Sequence, residues 1–480
     1  MSRRIIRRVH ILAGLFIAPL ILVAAFSGFF YALAPTIETW DYKSELTATS
    51  SSPAQPVAKQ IEAAKRIHPD LDVAKVQIPD EEGKTTRVLF TDPTLPSESY
   101  SRAVFVDPGD LHITGELTQY GSAASLPFRA WLSEGHRNLW LDEPGRIYSE
   151  TAATWLGPMA VTGVAMGWFM RKQKSQRKPK KKSRRQAMQR HTLIGLVAAP
   201  GLIFLCISGL TWSHFAGDNI AAVREELNWM APEPNTSIRG EQSAQDSGSG
   251  HAGHGEHAGH TGHTGHTGHT DHGGTAAIDL AQADTALQVG RNEGLTGTLQ
   301  LAPPSAPGQA WTVSEPRQAY KMHNDAITVN GENGEVIDRL PFSSWPIAAQ
   351  LTSWIIQLHM GTLFGLVSQI ALALLALGIG ALVVYGYIMW WRRRGGKNSG
   401  ARVVLRELTW KHWTALVILL GGYSVIAPLF AVSGAILFGI SLAFDFLGGK
   451  KTGRPNAATE GTQDTGLGGE KKVPVTAESH

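Results

Sequence analysis

One cysteine stands in 480 residues, Cys206, and it lies in the middle of an apolar run. Intrachain disulfides are excluded, and a lone buried thiol reads as a small packing residue. No C-x-x-C-H string occurs, which excludes a covalently attached c-type haem. No glycine-rich nucleotide fingerprint falls at a strand-to-helix turn; the glycine-rich strings lie in linker and tail. A flavin or nicotinamide would therefore sit on a partner. Acids are missing where bases crowd: residues 171–190 (RKQKSQRKPKKKSRRQAMQR) hold no Asp or Glu. Beside an apolar run, such a stretch speaks of membrane topology and anionic lipid rather than nucleic acid.

What is present is repetition. The stretch RRVHILAGLFIAPLILVAAFSGFFYAL (7–33) returns as QRHTLIGLVAAPGLIFLCISGLTWSH (189–214). A shift of 181 places His10 on His191, Gly14 on Gly195 and Ser27-Gly28 on Ser208-Gly209. A second pair, 131–171 and 354–394, matches at a shift of 223 and places His136 on His359, Gly163 on Gly386 and Trp168 on Trp391. The same shift sets AVFVD (103–107) on AITVN (326–330). The chain reads as a duplicated unit of helix, soluble segment, histidine and helix. The shifts differ by 42 (223 − 181), and 231–275 is the candidate insert.

Apolar runs near 9–34, 152–170, 192–214, 362–391 and 413–447 each match or exceed the roughly 20 residues that cross a bilayer. The last is long; it tilts, kinks at Pro428, runs along the interface, or forms two tight spans. Arg3, Arg4, Arg7, Arg8, the loop at 171–190 and Arg392-Arg393-Arg394 place the N-terminus and the two basic loops in the cytoplasm. The first run has an Ala32-Leu33-Ala34 cleavage look-alike but is retained, since its twin is internal. The expected class is a mainly α-helical integral membrane protein, an internally duplicated helix bundle with two small α+β periplasmic modules. Its boundaries are a first span at 1–34, an outer module at 35–150 and a second span at 151–171. The loop 172–190 leads to a third span at 191–214. The outer segment 215–361 holds the second module (277–340). A fourth span at 362–391, the loop 392–411, a fifth span at 412–447 and a disordered tail at 448–480 complete the chain. Helices are expected at 57–67 and 278–290. Strands are expected at 73–78, 85–91, 102–106, 295–301, 309–314 and 325–329, with turns at 144–145 and 331–336.

Histidines carry the chemistry. His10 and His191 fall at the cytoplasmic ends of spans one and three, and His136 and His359 on the outer side before spans two and four. A neutral imidazole is the commonest metal ligand, and a histidine at membrane depth needs a partner. Spans one and three run the same way, so the repeats relate by a two-fold along the membrane normal. A flat cofactor on that axis receives one equivalent histidine from each half. Haem b, in two copies because two pairs exist, suits that arrangement. His214 and His412 have no twins. A further series, His251, His254, His257, His260, His263, His266, His269 and His272, recurs every third residue in a glycine-rich tract. It reads as a flexible arm binding a divalent transition metal at several labile sites.

The patterns H-x-x-x-G-L-x-x-A-P-x₇-S-G (from His10), LTSWIIQLHMGTLFG (351–365) and V-x-G-x-x-M-W-W-R-R-R (384–394) resemble the PepSY-associated transmembrane family. The likeness covers most of 5–445 and makes the outer modules PepSY-like; the histidine tract stands outside the family core. The resemblance implies a bacterial inner-membrane protein, with relatives that are di-haem ferric-siderophore reductases passing electrons outward. It implies His10, His191, His136 and His359 as axial ligands, a ferric siderophore or metal ion as outer partner, and a quinol or cytoplasmic flavoprotein as donor. Two other readings stay open: a divalent-metal handling protein without haem, and a regulatory protein whose modules bind an envelope partner. The spans hold no Cys-Pro-Cys, which speaks against metal transport.

Overall fold

The computed structural model describes residues 3–172, 182–238, 279–392 and 410–449. The histidine tract 251–272, the centres of both basic loops and the tail lie outside them. The chain opens with α1 (Arg3–Phe16), α2 (Ala18–Asp41) and the one-turn α3 (Lys43–Leu46). Then come α4 (Val57–Lys65) and strands β1 (Asp72–Ile78), β2 (Thr86–Thr91), β3 (Tyr100–Val106) and β4 (Ile113–Tyr120). Helices α5 (Pro127–Asn138), α6 (Asp142–Lys172), α7 (Lys182–Leu210) and α8 (Phe215–Glu226) follow. The pattern resumes with α9 (Gln282–Asn292), β5 (Leu299–Ala302), β6 (Trp311–Ser314), β7 (Ala326–Val329) and β8 (Val336–Leu340). Helices α10 (Ile347–His359), α11 (Gly365–Trp391), α12 (Trp410–Ile426) and α13 (Pro428–Gly449) close the described chain.

The strands form one antiparallel sheet in the order β4-β3-β2-β1-β5-β6-β7-β8. Its two halves meet at β1 and β5, where Gln77 stands opposite Gln300. These residues differ by 223 (300 − 77), so the joint pairs a position with its own equivalent. Gln77 Nε2 donates to Gln300 Oε1 at 3.2 Å across it. Alternation along β2 explains the layering: Val88 and Phe90 face a core shared with α4 and α9, while Leu89 faces a second cluster with Phe105 and Leu126. The first core includes Ile61, Ala64, Ala283, Ala286, Leu301 and Trp311, all buried. Asp284 of α9 ties the halves together by accepting from the Val57 and Ala58 amides at 2.6 and 3.1 Å, which caps α4.

Beneath the sheet, α2 packs along α11 and α7 along α6. Among the described residues, three helical segments are long and apolar enough to cross a membrane: Ala18–Asp41, Arg185–Leu210 and Gly365–Trp391. Helix α6 has 31 residues, and its first turns carry Asp142, Glu143, Arg146 and Glu150. The second span expected at 151–171 falls within α6, which is not among those three segments. The long run near 413–447 is two helices, because Pro428 has no amide to continue the α12 ladder. Asn219 Nδ2 on α8 donates to Val425 and Ile426 carbonyls, and Arg8 on α1 donates to Ser441. Helix α13 therefore runs from the sheet side back to the α1 end.

Two outermost strands, β4 and β8, extend the sheet beyond the strands expected from sequence. The turn expected at 144–145 lies instead at 139–142, where Leu139, Trp140 and Asp142 take positive φ. Pro144 and Gly145 sit in the first turn of α6, where proline is well tolerated. Gly145 is required there: a Cβ would stand 1.5 Å from the Asn138 carbonyl oxygen.

Replacing Asp284 with Ala removes the acceptor of two α4 amides and should cost about 1 kcal/mol. A lower thermal unfolding midpoint in detergent checks this, with Asp284→Asn falling between the two.

Candidate functional site

An imidazole among apolar helices has one N–H to satisfy and one lone pair to spare. All four repeat-related histidines meet the first need in the same way. On the sheet side, His136 Nδ1 lies 3.0 Å from Ser27 Oγ of α2, and His359 Nδ1 lies 2.7 Å from Ser208 Oγ of α7. At the opposite end, His10 Nδ1 lies 2.9 Å from Thr162 Oγ1 of α6, and His191 Nδ1 lies 3.0 Å from the Leu382 carbonyl of α11.

The acceptors settle the tautomer. A carbonyl only accepts, so His191 carries its proton on Nδ1. The three hydroxyls have already spent theirs on helix carbonyls. Ser27 donates to Val23 and Ala24, Ser208 to Phe204, and Thr162 to Pro158 and Met159. Each hydroxyl is therefore assigned as the acceptor from imidazole, an assignment that would leave all four Nε2 atoms with a bare lone pair. This is the arrangement of a metal-ligating histidine, whose other nitrogen donates to an orienting group.

Glycine makes the space. A Cβ on Gly28 would stand 3.1 Å from His136 Cε1, and one on Gly209 would stand 3.6 Å from His359 Cε1. The corresponding distances are 3.2 Å from Gly163 to His10 and 4.0 Å from Gly386 to His191. The four glycines are related by the same shifts as the four histidines. Tyr31 stacks at 11° on His136, and its equivalent Trp212 meets His359 edge-on at 5.1 Å.

One of the two histidine pairs meets ring to ring. His10 and His191 stand with ring centroids 6.3 Å apart at 83°. Two imidazoles on opposite sides of one metal, each bonded at about 2.0–2.1 Å, have centroids about 6 Å apart. Burial lowers the His136 and His359 imidazoles below the ordinary histidine value; at His136 the Ala24 carbonyl opposes this and Arg137 adds to it. His191 and Ser208 lie 17 residues apart (208 − 191) on α7, so the pairs are separated by about 25 Å along the bundle.

The residues fit a flat metal cofactor. Besides two free Nε2 atoms per pair, the helices bearing His136 and His359 bury polar atoms with no hydrogen-bond partner: Arg129 Nε, Arg137 Nε and both amide atoms of Gln357. Arg129 Nε lies 3.4 Å from Glu38 Oε2, within ion-pair reach. The eight tract histidines lie outside the described residues.

A further cluster was not anticipated from sequence. Glu315, His323 and Asp325 hold ligand atoms within 4.8 Å of one another. Lys321 Nζ is 2.6 Å from Glu315 Oε1, and His323 Nδ1 is 2.9 Å from Oε2. Burial works to raise the Glu315 carboxyl, but the Lys321 hydrogen bond and the Thr296 and Asp325 amides override it and hold it low. The adjoining loop braces α10, with Trp354 Nε1 donating to the Met322 carbonyl at 2.8 Å. With its charge already met by Lys321, the cluster reads as a brace for the helix carrying His359.

A family described as the PepSY-associated TM region matches residues 7–393. No curated protein matches the chain.

In protein prepared without metal, ¹⁵N spectra should show His10, His136, His191 and His359 protonated on Nδ1 and bare on Nε2. Nε2 protonation at any of the four would contradict the assigned hydrogen bonds.

Proposed function

Because the chain belongs to the PepSY-associated transmembrane family, we propose that it is an internally duplicated inner-membrane electron-transfer protein with two b-type haems. The sheet lies on the periplasmic side, where ferric iron or a ferric siderophore is reduced. One observation carries the reading: four repeat-equivalent histidines, two from each half, each set Nδ1 against an acceptor on a neighbouring helix, and His10 and His191 stand 6.3 Å apart. His10 and His191 would hold the cytoplasmic-side haem, and His136 and His359 the periplasmic-side one.

Haem supplies one-electron chemistry, and axial ligands with their hydrogen bonds set its potential. The chain's own work is orientation and exclusion of water. Ser27, Ser208, Thr162 and Leu382 fix the rings. The four glycines admit them, while Arg129 pairs with Glu38 and Arg137 with Glu134 on the sheet side. The helix bundle keeps the two pairs about 25 Å apart, the rise of 17 helical residues. Electrons come from a quinol in the bilayer or a cytoplasmic flavoprotein.

The tract from His251 to His272 is proposed as a separate arm for a divalent metal, since imidazoles at every third position offer many overlapping pairs. A metal-handling protein without haem is the competing reading. The orienting acceptor at every paired histidine favours the haem reading, because a labile transport ligand needs no fixed tautomer.

Purified protein, reduced with dithionite, should give a b-type spectrum and two haems per chain by pyridine haemochrome. His10→Ala or His191→Ala should remove one haem, and His136→Ala or His359→Ala the other. Deleting 251–272 should leave both haems and abolish most divalent-metal binding. A haem-free spectrum from cells supplied with haem precursor would sink the reading in favour of metal handling.

A further inference from the structure

Two kinds of acceptor hold the four imidazoles. His191 donates to a main-chain carbonyl, that of Leu382, which no side-chain substitution removes. The sheet-side histidines, like His10 on Thr162, lie against side-chain hydroxyls, Ser27 Oγ at 3.0 Å and Ser208 Oγ at 2.7 Å, with the Ala24 carbonyl a second acceptor for His136. Both serines occupy the same place in the repeat, one residue before the glycine that admits the ring. Ser208 is 1 % exposed. Its hydroxyl proton is committed to the Phe204 carbonyl at 2.7 Å, so toward His359 it acts as an acceptor.

An acceptor on one imidazole nitrogen raises the basicity of the other. A more basic axial ligand favours the oxidised metal and lowers its potential. We propose that Ser27 and Ser208 are positioning residues that hold the sheet-side imidazoles in the Nδ1–H tautomer and thereby set the potential of the sheet-side haem alone. The inference rests on the haem reading above. A serine bonded only to its own helix would be a packing residue, and its loss would leave a redox potential unmoved.

The test is an optical redox titration of the full-length, haem-loaded protein. Wild type is compared with Ser27→Ala, Ser208→Ala, Ser27→Thr and Ser208→Thr. Wild type should resolve two midpoints. Each alanine variant should move one midpoint, the same one in both, to a more positive value, or weaken that haem's retention about tenfold or more. The other midpoint should stay in place, and threonine should restore the wild-type pair. Alanine variants with two unshifted haems would overturn the inference while leaving the haem reading standing. A common shift of both midpoints, or loss of both haems, would also overturn it. Wild-type protein without haem would overturn both.

Discussion

The hydrogen bond at imidazole Nδ1 is the constraint on which the rest depends. A buried N–H left without an acceptor costs about 1–3 kcal/mol, and inside an apolar bundle water does not supply one. Four histidines therefore demand four acceptors at fixed heights on neighbouring helices. The bundle provides them at Ser27, Ser208, Thr162 and Leu382. Once an acceptor is placed, the ring plane and the free nitrogen are placed with it. The ring then needs room against the adjacent backbone, and a glycine supplies it in every case. The recurring Ser-Gly pair is thus two answers to one packing problem, an acceptor and a vacancy in consecutive residues.

The pairing of histidines in turn requires both halves. A half with four strands would expose β1 or β5 as an edge with unpaired amides. Joined, the two edges satisfy each other through Val76–Leu301, Gln77–Gln300 and Ile78–Leu299. The Asp284 cap on α4 reaches across the same joint. Below, α2 packs on α11 and α7 on α6, so each helix that provides an acceptor serine also contacts a helix of the other half. Sheet joint and helix crossings act on the same two-fold relation, and together they bring His10 to within 6.3 Å of His191.

Much of this was legible in the chain because repeated positions identify themselves. The shifts of 181 and 223 picked out the four histidines without any knowledge of their neighbours, and the apolar periodicity located most helices and strands. What was hidden depends on contacts between distant segments. Ser27 looks like any helix serine until His136 is seen 109 residues away. The Glu315–His323–Asp325 brace is spread over a loop and has no periodic signal. Pro144 and Gly145 read as a turn, yet proline is compatible with a helix start, and the sharp reversal falls on Leu139, Trp140 and Asp142. Those three accept left-handed backbone because the surrounding packing overrides their local preference. Trp140 fixes it by lying against Gly135, where a Cβ would come within 2.3 Å of the indole, and by donating Nε1–H to the Trp131 carbonyl.

The two-fold relation also explains where it ends. Helices α12 and α13 have no counterpart among the described residues, and they lie outside the span matched by the family. They pack on α6 and α8, where Trp155 donates Nε1–H to Ser433 Oγ at 2.8 Å and stacks against Phe430. Trp155 is 5 % exposed. Its equivalent at a shift of 223 is Gly378 on α11, which offers no side chain to bury. On α11, Val367, Leu374 and Leu377 remain exposed, as suits a surface facing lipid. The helix pair therefore docks where α6 of the first half meets α7 and α8 of the second, and Trp155 anchors it there. Cys206 belongs to the same asymmetric contact: its thiol meets the Ala153 carbonyl at 3.2 Å and the Tyr423 hydroxyl at 3.8 Å. At its equivalent, Ala25, a methyl suffices, since no α12 stands opposite. The four histidines and their glycines keep the sequence repeat, and this outer contact departs from it.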